Sequence, residues 1–529
     1  MSKFPKLLNA LLLVFFMLLS LNRMALAADL VIGTRTEPAS LDPHYLWNPI
    51  NNQLSYHYLG FMARTGPDGK LIPSIGLKWE AVGNNEWRFT MDSKAKFSNG
   101  DPVTVSDAIA SYERAMDLPN STYTGLFAHV ERFEDGGNNV LKIVTKTPDP
   151  MMPYALSQVA IIPKSIADKA TSKDFSTPEF NVSAGPYVFS KYVPGDRLEL
   201  TANPGYFGPK AKWDHVTFRF LSDQAARVAA LLSGSVDMID GVLPDDASEI
   251  SKRSDFKVVQ ASTERTVYMT FDLSRDVTPQ VKALDGSPLP NNPFKDKRVR
   301  RAFAYAINRD AIVARVLAGQ GEPMNQIGSP KLSGFNPGIA TVPFDMAQSK
   351  KLLAEAGYPN GFALTVTCFS GRLVNDARIC QAIGQMLERI GLKVTVDVQP
   401  YQVLLSKVIC HCDDRPSFFM STWSSAYAGE VGAALQNVVH SYSKAEGRAT
   451  WNLGEYSNPQ VDRLIDQAMG TMDNAARFKL EGEAMKLAMD DYFILPLHLQ
   501  GVALAAKKGL TPTPFTNEYT MADYVSVDR

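Results

Sequence analysis

Two periods of apolar and polar residues alternate along this chain, and the changes between them mark its elements. Leu30-Val31-Ile32-Gly33 is a short apolar run that reads as a strand, followed by the Pro-punctuated turns Glu37-Pro38 and Leu41-Asp42-Pro43-His44. Tyr56, His57, Tyr58 and Phe61 fit one face of a helix, with Tyr45 and Trp47 on the loop before it. Gly66-Pro67-Asp68-Gly69 is a turn by composition. After Trp79, the segment Trp87–Met91 alternates at period two and belongs to a meander. Asn99-Gly100 makes a tight turn. Thr104 or Ser106 then caps a helix running through Met116, with Asp107 favoured by the helix dipole.

The second half reads as layered α/β. Asp345 caps a helix that ends near Ala356, and Gly357 supplies the left-handed position beyond it. Phe362–Cys368 alternates as a strand. Residues 376–390 form an amphipathic helix through Ile379, Ile383, Met386, Leu387 and Ile390. Val394, Val396 and Val398 face one way, while Lys393, Thr395 and Asp397 face the other. Strand, helix, strand predicts a βαβ unit and a parallel sheet. Helix 401–411 leads to Phe418–Gly429, which reads FFMSTWSSAYAG. This stretch starts as an apolar strand and breaks into hydroxyls interleaved with Trp423 and Tyr427. Ligands of such sheets bind at strand carboxyl ends, where aromatic faces supply area and hydroxyls supply orientation. Pro279–Pro293 reads as a surface loop or hinge-adjacent insertion.

Length changes the picture first: 529 residues exceed one hydrophobic core, so two or three domains are expected. The chain has 54 Lys+Arg against 55 Asp+Glu, and this balance gives no sign of a nucleic-acid partner. Lys3 and Lys6 precede an apolar run from Leu7 to Leu19, and Ala25-Leu26-Ala27 follows. That is a secretory signal peptide over 1–27 with cleavage after Ala27, and it places the mature chain in the periplasm. No Cys near this site suggests a lipid anchor, and no later run is long enough to span a membrane.

Cys368, Cys380, Cys410 and Cys412 fall close together, which in an exported protein favours disulfides with three possible connectivities. A Cys410–Cys412 bridge would close a tight ring, so each of these is expected to pair with Cys368 or Cys380. A metal site at Cys410-His411-Cys412-Asp413 is the rival, although zinc sites use wider spacing. There is no Gly-x-Ser-x-Gly elbow, His-Glu-x-x-His or P-loop. The seven His are scattered singly. An exported hydrolase, its site assembled from distant residues, is the alternative to a binding protein.

One set of motifs points further. Phe97–Thr104 (FSNGDPVT) with Asp107, Gly185-Pro186-Tyr187, Asn203–Phe207 (NPGYF), Leu231 with Ser233-Gly234 and Val236-Asp237, Arg298-Val299-Arg300, Glu355–Tyr358, Tyr456–Pro459 and Ile494-x-Pro496-Leu497 occur in one order. Together they resemble the extracellular solute-binding proteins of family 5, the peptide- and nickel-binding components of ABC importers. The resemblance implies an α/β, two-lobed periplasmic binding protein fold of class II, the large type with an extra subdomain in lobe I. Lobe I would take 28–62, 180–268 and 495–529, its accessory subdomain 63–179, and lobe II 269–494. It implies a monomer without cofactor or catalysis that closes over a small solute. The closed form goes to permease subunits driven by ATP-binding subunits.

Peptide is the largest ligand class in that family, with opines, oligosaccharides, nickel and haem as alternatives. The ligand residues expected are Trp423, Ser424, Ser425 and Tyr427 facing Glu37, Tyr45 and Trp47, with Tyr268 on a crossover strand. Peptide-binding members place an Asp shortly after the tryptophan matching Trp423, where it pairs with the ligand's α-amino group. Here that position is Ala426, which leaves Glu37 and Glu430 as substitutes.

Overall fold

Two long strands tie the molecule together. The computed structural model describes residues 28–528, so the leader and its cleavage after Ala27 lie outside the described residues. The first elements that matter are β1 (Asp29–Thr34), α1 (Pro49–Tyr58), α2 (Val105–Asp117), β2 (Tyr187–Val193), β3 (Arg197–Ala202), β4 (His215–Phe220) and β5 (Met238–Ile239). Next come β6 (Phe256–Phe271), β7 (Ala363–Ser370), α3 (Asp376–Glu388), β8 (Lys393–Pro400), α4 (Tyr401–Ile409), β9 (Phe418–Ser424) and β10 (Ile494–Lys507).

These strands share one sheet in the order β2-β3-β4-β1-β5-β10-β6-β9-β7. β6 and β10 pair antiparallel from Phe256↔Lys507 to Thr270↔Ile494, and the register breaks between Ser262↔Gly501 and Thr266↔Leu499. Thr263, Glu264 and Arg265 thus stand opposite Gln500 alone, a bulge that bends the pair. The core changes there too. Before the bulge, Leu504 and Ala506 pack with Leu30, Ile32 and Phe218. Beyond it, Val267, Met269, Leu495 and Leu497 pack with Phe303 and Phe418. Gly501 belongs at this crossing because a side chain there would strike the Gln320 backbone.

A separate four-stranded antiparallel sheet, Gly76–Val82, Glu86–Met91, Val140–Thr145 and Val130–Asp135, packs with α2 around Phe89, Tyr112, Phe127 and Ile143. The α2 cap is Thr104: its Oγ1 accepts from the Asp107 amide at 3.3 Å, and Asp107 accepts from the Thr104 amide at 2.8 Å. This reciprocal box satisfies two amides the helix cannot.

The expected βαβ unit is β7–α3–β8, with β7 and β8 parallel. Gly384 lets α3 sit close, since a Cβ there would lie 2.7 Å from Val396. Val394 and Val396 join the core, but Val398 is 37% exposed, because β8 pairs only with β7 and its end is open to solvent. Phe61 leaves the aromatic helix: α1 stops at Tyr58, and Gly60–Phe61 pairs with Ala160–Ile161. Residues 279–293 are not all loop, since Val281–Lys282 adds to the β7 edge.

The disulfides differ from the expected pairing. Cys368 on β7 bonds Cys380 on α3, and Cys410 bonds Cys412. Cys368 and Cys380 are sealed in the core beneath α3, out of reach of an exposed loop. Closing the longer loop constrains the unfolded chain by about 3 kcal/mol, and the two-residue separation by roughly half that. Replacing Cys368 and Cys380 together by Ala should therefore lower urea-unfolding stability about twice as much as replacing Cys410 and Cys412. Equal losses would contradict this.

His44, His57 and His498 are fully buried, and burial lowers their pKa values to about 4, 4 and 3. The unfolded chain protonates first as pH falls below about 6.5, so stability is lost from there down toward pH 4. Calorimetry across that window should show a falling Tm as the three histidines take up protons on unfolding; a flat Tm between pH 7 and 5 would refute it.

Candidate functional site

Strand direction aims the carboxyl ends at one place. β1 runs with β6, through β5 and β10 between them, so its end at Thr34 points toward the β6–β10 bulge. β9 runs against β6, from Phe418↔Phe271 to Ser424↔Arg265, and β7 is parallel to β9. The residues just past β1, β7 and β9 therefore converge from opposite sides. Such strand ends are where open α/β sheets hold ligands.

Near the end of β9, Trp423 packs edge-on to Trp451 at 6.0 Å, and its buried indole N–H has no partner. Ser424 is half-buried. The Ser425 amide donates to the Glu264 carbonyl at 3.1 Å, while its buried hydroxyl is unpartnered. Tyr427 stands edge-on to Trp47 at 5.1 Å and lies 6.1 Å from Tyr519. Its hydroxyl donates to the Asn517 carbonyl at 3.2 Å, and the Trp47 indole donates to Gln158 at 3.3 Å. Trp47 and Tyr427, from opposite sides, therefore meet.

The other expected residues lie apart from that contact. Tyr45 is half-buried and its carbonyl accepts from the Thr122 amide at 3.0 Å. Tyr268 is buried, accepts from Ser421 at 3.4 Å, and lines a cavity inside the second half with Thr270, Trp451 and Tyr456. Glu37 accepts from the Tyr192 hydroxyl and, at 2.8 Å, from the Gly195 amide, which ties it to the β2–β3 hairpin. Glu430 is paired with Arg477 at 2.9 Å. Behind that pair, burial and then the Glu430 charge push Glu481 toward its protonated form. Both candidate acids are thus engaged, and Ala426 is fully buried.

A charged crevice lies beside the aromatics. It runs between Arg35, Gly241, Val242 and Glu518 on one side and Arg372, Leu373 and Val374 on the other, over Gln500–Ala503. Arg265, on the bulge, donates to Glu518 at 2.6 Å, and Arg35 stands 3.9 Å from the same carboxylate. Burial alone would raise Glu518, but Arg265, Arg372 and Arg35 hold it down to about 2. At the rim, exposed Arg378 reaches Asp245 at 3.5 Å.

None of Arg35, Arg265, Arg372, Gln500 or Glu518 was singled out from the sequence. Arg35 directly follows β1 and Arg372 lies two residues past β7, so the strand-end rule that picked Trp423 reaches them as well. Arg265 and Glu518 carry no such local signal; a bulge and a C-terminal segment bring them together. The ligand atoms of Cys410, Cys412 and Asp414 lie within 4.8 Å of one another at exposed positions. Both sulfurs are joined in the disulfide, and His411 instead contacts Glu455 and stacks on Tyr442. Among the described residues, no helix is long and apolar enough to cross a membrane.

Comparison with known proteins gives the following. The family model for bacterial extracellular solute-binding proteins, family 5 Middle, matches residues 70–459. The periplasmic murein peptide-binding protein MppA of Escherichia coli is 22% identical, over 93% of this chain and 92% of its own length. The oligopeptide-binding protein AppA of Bacillus subtilis is 25% identical, over 91% and 90%. In structure, the ABC transporter substrate-binding protein CtaP of Listeria monocytogenes matches with a TM-score of 0.81 at 20% identity, over 95% of this chain and 100% of that one. AgaA from A. tumefaciens R10, in complex with agropinic acid, matches with a TM-score of 0.74 at 24% identity, over 95% and 99%. These likenesses establish the two-lobed α/β fold.

Gly429 has φ +67, and a Cβ there would fall on the Tyr154 hydroxyl. Gly429→Ala should therefore lose about 1–3 kcal/mol in urea unfolding. Tyr154→Ala in the same chain should recover the steric part, so the double variant loses less than the sum. Strict additivity would show that the two do not meet.

Proposed function

The chain belongs to the bacterial extracellular solute-binding proteins, family 5, and we propose that it captures a peptide or peptide-like solute in the periplasm for an ABC importer. The relatives named above as peptide-binding support the ligand class, and the family consists of substrate-binding proteins of transporters rather than enzymes. In this reading the protein is monomeric, and its two lobes meet at the β6–β10 bulge. The division follows the change of core at Ser262–Thr266 and Leu499–Gly501, a few residues from the boundaries drawn on the sequence. The accessory sheet over 63–179 belongs to the first lobe.

The observation that carries the reading is a strip of buried, unpartnered polar atoms where the halves meet: Trp423 Nε1, Ser425 Oγ, Thr516 Oγ1 and Gln500 Oε1. Each such group left unpaired costs about 1–3 kcal/mol, and a solute lying between the halves would satisfy it. Trp47, Trp423, Ser425 and Tyr427 are the contact residues proposed. Because the solute touches both halves at once, it favours the closed arrangement over the open one. The permease and ATP-binding subunits then receive the closed complex, with no bond made or broken in the solute.

The test is to purify the protein from its own periplasm and weigh it by native mass spectrometry, then rebind the released solute. A ladder of peptide masses is the result expected; a single sugar-like mass would remove peptides from the reading. Trp423→Ala should weaken rebinding at least tenfold, about 1.4 kcal/mol. An unchanged affinity would remove Trp423 from the site.

A further inference from the structure

We propose that Cys410–Cys412 is a site of reversible reduction by a dithiol, and that opening it frees His411 and slackens the loop that backs Trp423. The reduction stands apart from solute capture; only its consequence for binding rests on that reading.

The two disulfides differ in access. Cys368 and Cys380 are 0% exposed and join a strand to a helix inside the core, where a reductant does not reach them. Cys410 and Cys412 lie exposed just past α4, two positions apart. A bridge across so short a loop constrains the unfolded chain least, and exposed disulfides are the ones that thiols exchange with. The reduced state has its partners in place. Cys410 Sγ stands 3.3 Å from the Lys407 carbonyl, to which a thiol can donate, and the Cys412 amide donates to that sulfur at 3.2 Å. In the first step a thiolate of the dithiol attacks one sulfur and the Cys410–Cys412 bond breaks. A mixed disulfide forms, while the other cysteine leaves as a thiolate and takes up a proton. The second thiol of the reductant then attacks the mixed disulfide and releases the remaining cysteine. Two electrons and two protons pass to the cysteines, and the dithiol ends as its own disulfide.

What the bridge holds is the residue between. His411 has φ +52, a left-handed backbone uncommon outside glycine, and its side chain is only 4% exposed. One ring nitrogen lies 3.1 Å from a Glu455 carboxylate oxygen and the other 3.1 Å from the Thr450 carbonyl. The ring also stacks on Tyr442 at 3.6 Å. All three partners belong to one irregular stretch, 440–456, and in that stretch Trp451 stands edge-on to Trp423. With the bridge closed, the backbone at 411 is confined and its ring pins the loop. With the bridge open, that backbone relaxes and the ring withdraws from Thr450 and Glu455. Trp451 then loses its fixed neighbour and Trp423 its backing. The Trp451 amide still donates to the Asn437 carbonyl at 3.1 Å, so the loop slackens rather than unfolds.

The test uses the full chain from its own host. Native protein is equilibrated with dithiothreitol at graded ratios of reduced to oxidised form, and free thiols are blocked with N-ethylmaleimide. Peptide mass spectrometry then locates the labels. Cys410 and Cys412 should label together under conditions that leave Cys368 and Cys380 unlabelled. Labelling of neither pair short of unfolding, or of both pairs at one ratio, would overturn the reducible site. Amide hydrogen exchange at 440–456 should quicken about tenfold on reduction, with 363–390 unchanged. His411→Ala with the bridge intact should quicken the same stretch; an unchanged rate would remove His411 from the link. Retained solute, weighed by native mass spectrometry after equal dialysis, should fall about threefold in occupancy in the reduced protein. The double variant Cys410→Ser, Cys412→Ser should match it without reductant. Should that variant fold poorly by circular dichroism, reduced against oxidised wild type carries the comparison. Exchange and occupancy indifferent to reduction would overturn the coupling to Trp423 and leave solute capture intact. Absence of retained solute in both states would overturn solute capture and the effect on binding, while labelling and exchange still decide the reducible site.

Discussion

Everything in this molecule hangs on the antiparallel pairing of β6 with β10. The two strands keep backbone hydrogen bonds from one end of the large sheet to the other, yet the side chains they send out belong to different cores on either side of the bulge. A ladder interrupted at the bulge, with a different core on each side of it, is stiff along the strands and soft across the bulge, where three residues face one. Thr263–Arg265 do not idle there. The Glu264 amide donates to Thr516, Arg265 holds Glu518, and the Glu264 carbonyl accepts from Ser425. The residues freed from pairing are the ones that tie the two halves and the C-terminal segment to each other.

Much of that frame is legible in the sequence because it rests on local chemistry. Thr104 and Asp107 cap their helix as any capping pair would, Asp345 and Gly357 bracket another, and the periods around Phe362, Ile379 and Val394 announce a βαβ unit. These signals need only near neighbours. What could not be read was decided at long range. The burial of Cys368 and Cys380 under α3 settles the disulfides against an argument from ring size alone. The tail of β8 is open because of which strand flanks it. Glu37, beside a suggestive Pro turn, is claimed by Tyr192 more than 150 positions along the chain.

The site divides the same way. Ser425 and Tyr427 follow a recognisable strand that carries Trp423 near its end, so the meeting of Tyr427 with Trp47 follows from the direction of β9. The arginines needed one step more: applying the strand-end rule to every strand whose carboxyl end reaches the bulge. Arg35 and Arg372 then stand out as the residues of opposite halves that face each other over Glu518. Arg265 reaches Glu518 only because a bulge turns it out of the ladder, and no periodicity records a bulge.

One arginine from each half lines the crevice where the halves meet. When the halves approach, Arg35 and Arg372 bring like charges into a partly water-excluded crevice, where repulsion is stronger than in bulk solvent. Glu518 offsets part of this, but Arg265 already occupies it. A solute shifts a conformational equilibrium only by the difference in its affinity for the two states, and the meeting of Trp47 with Tyr427 from opposite halves is a contact that exists only when the halves are near.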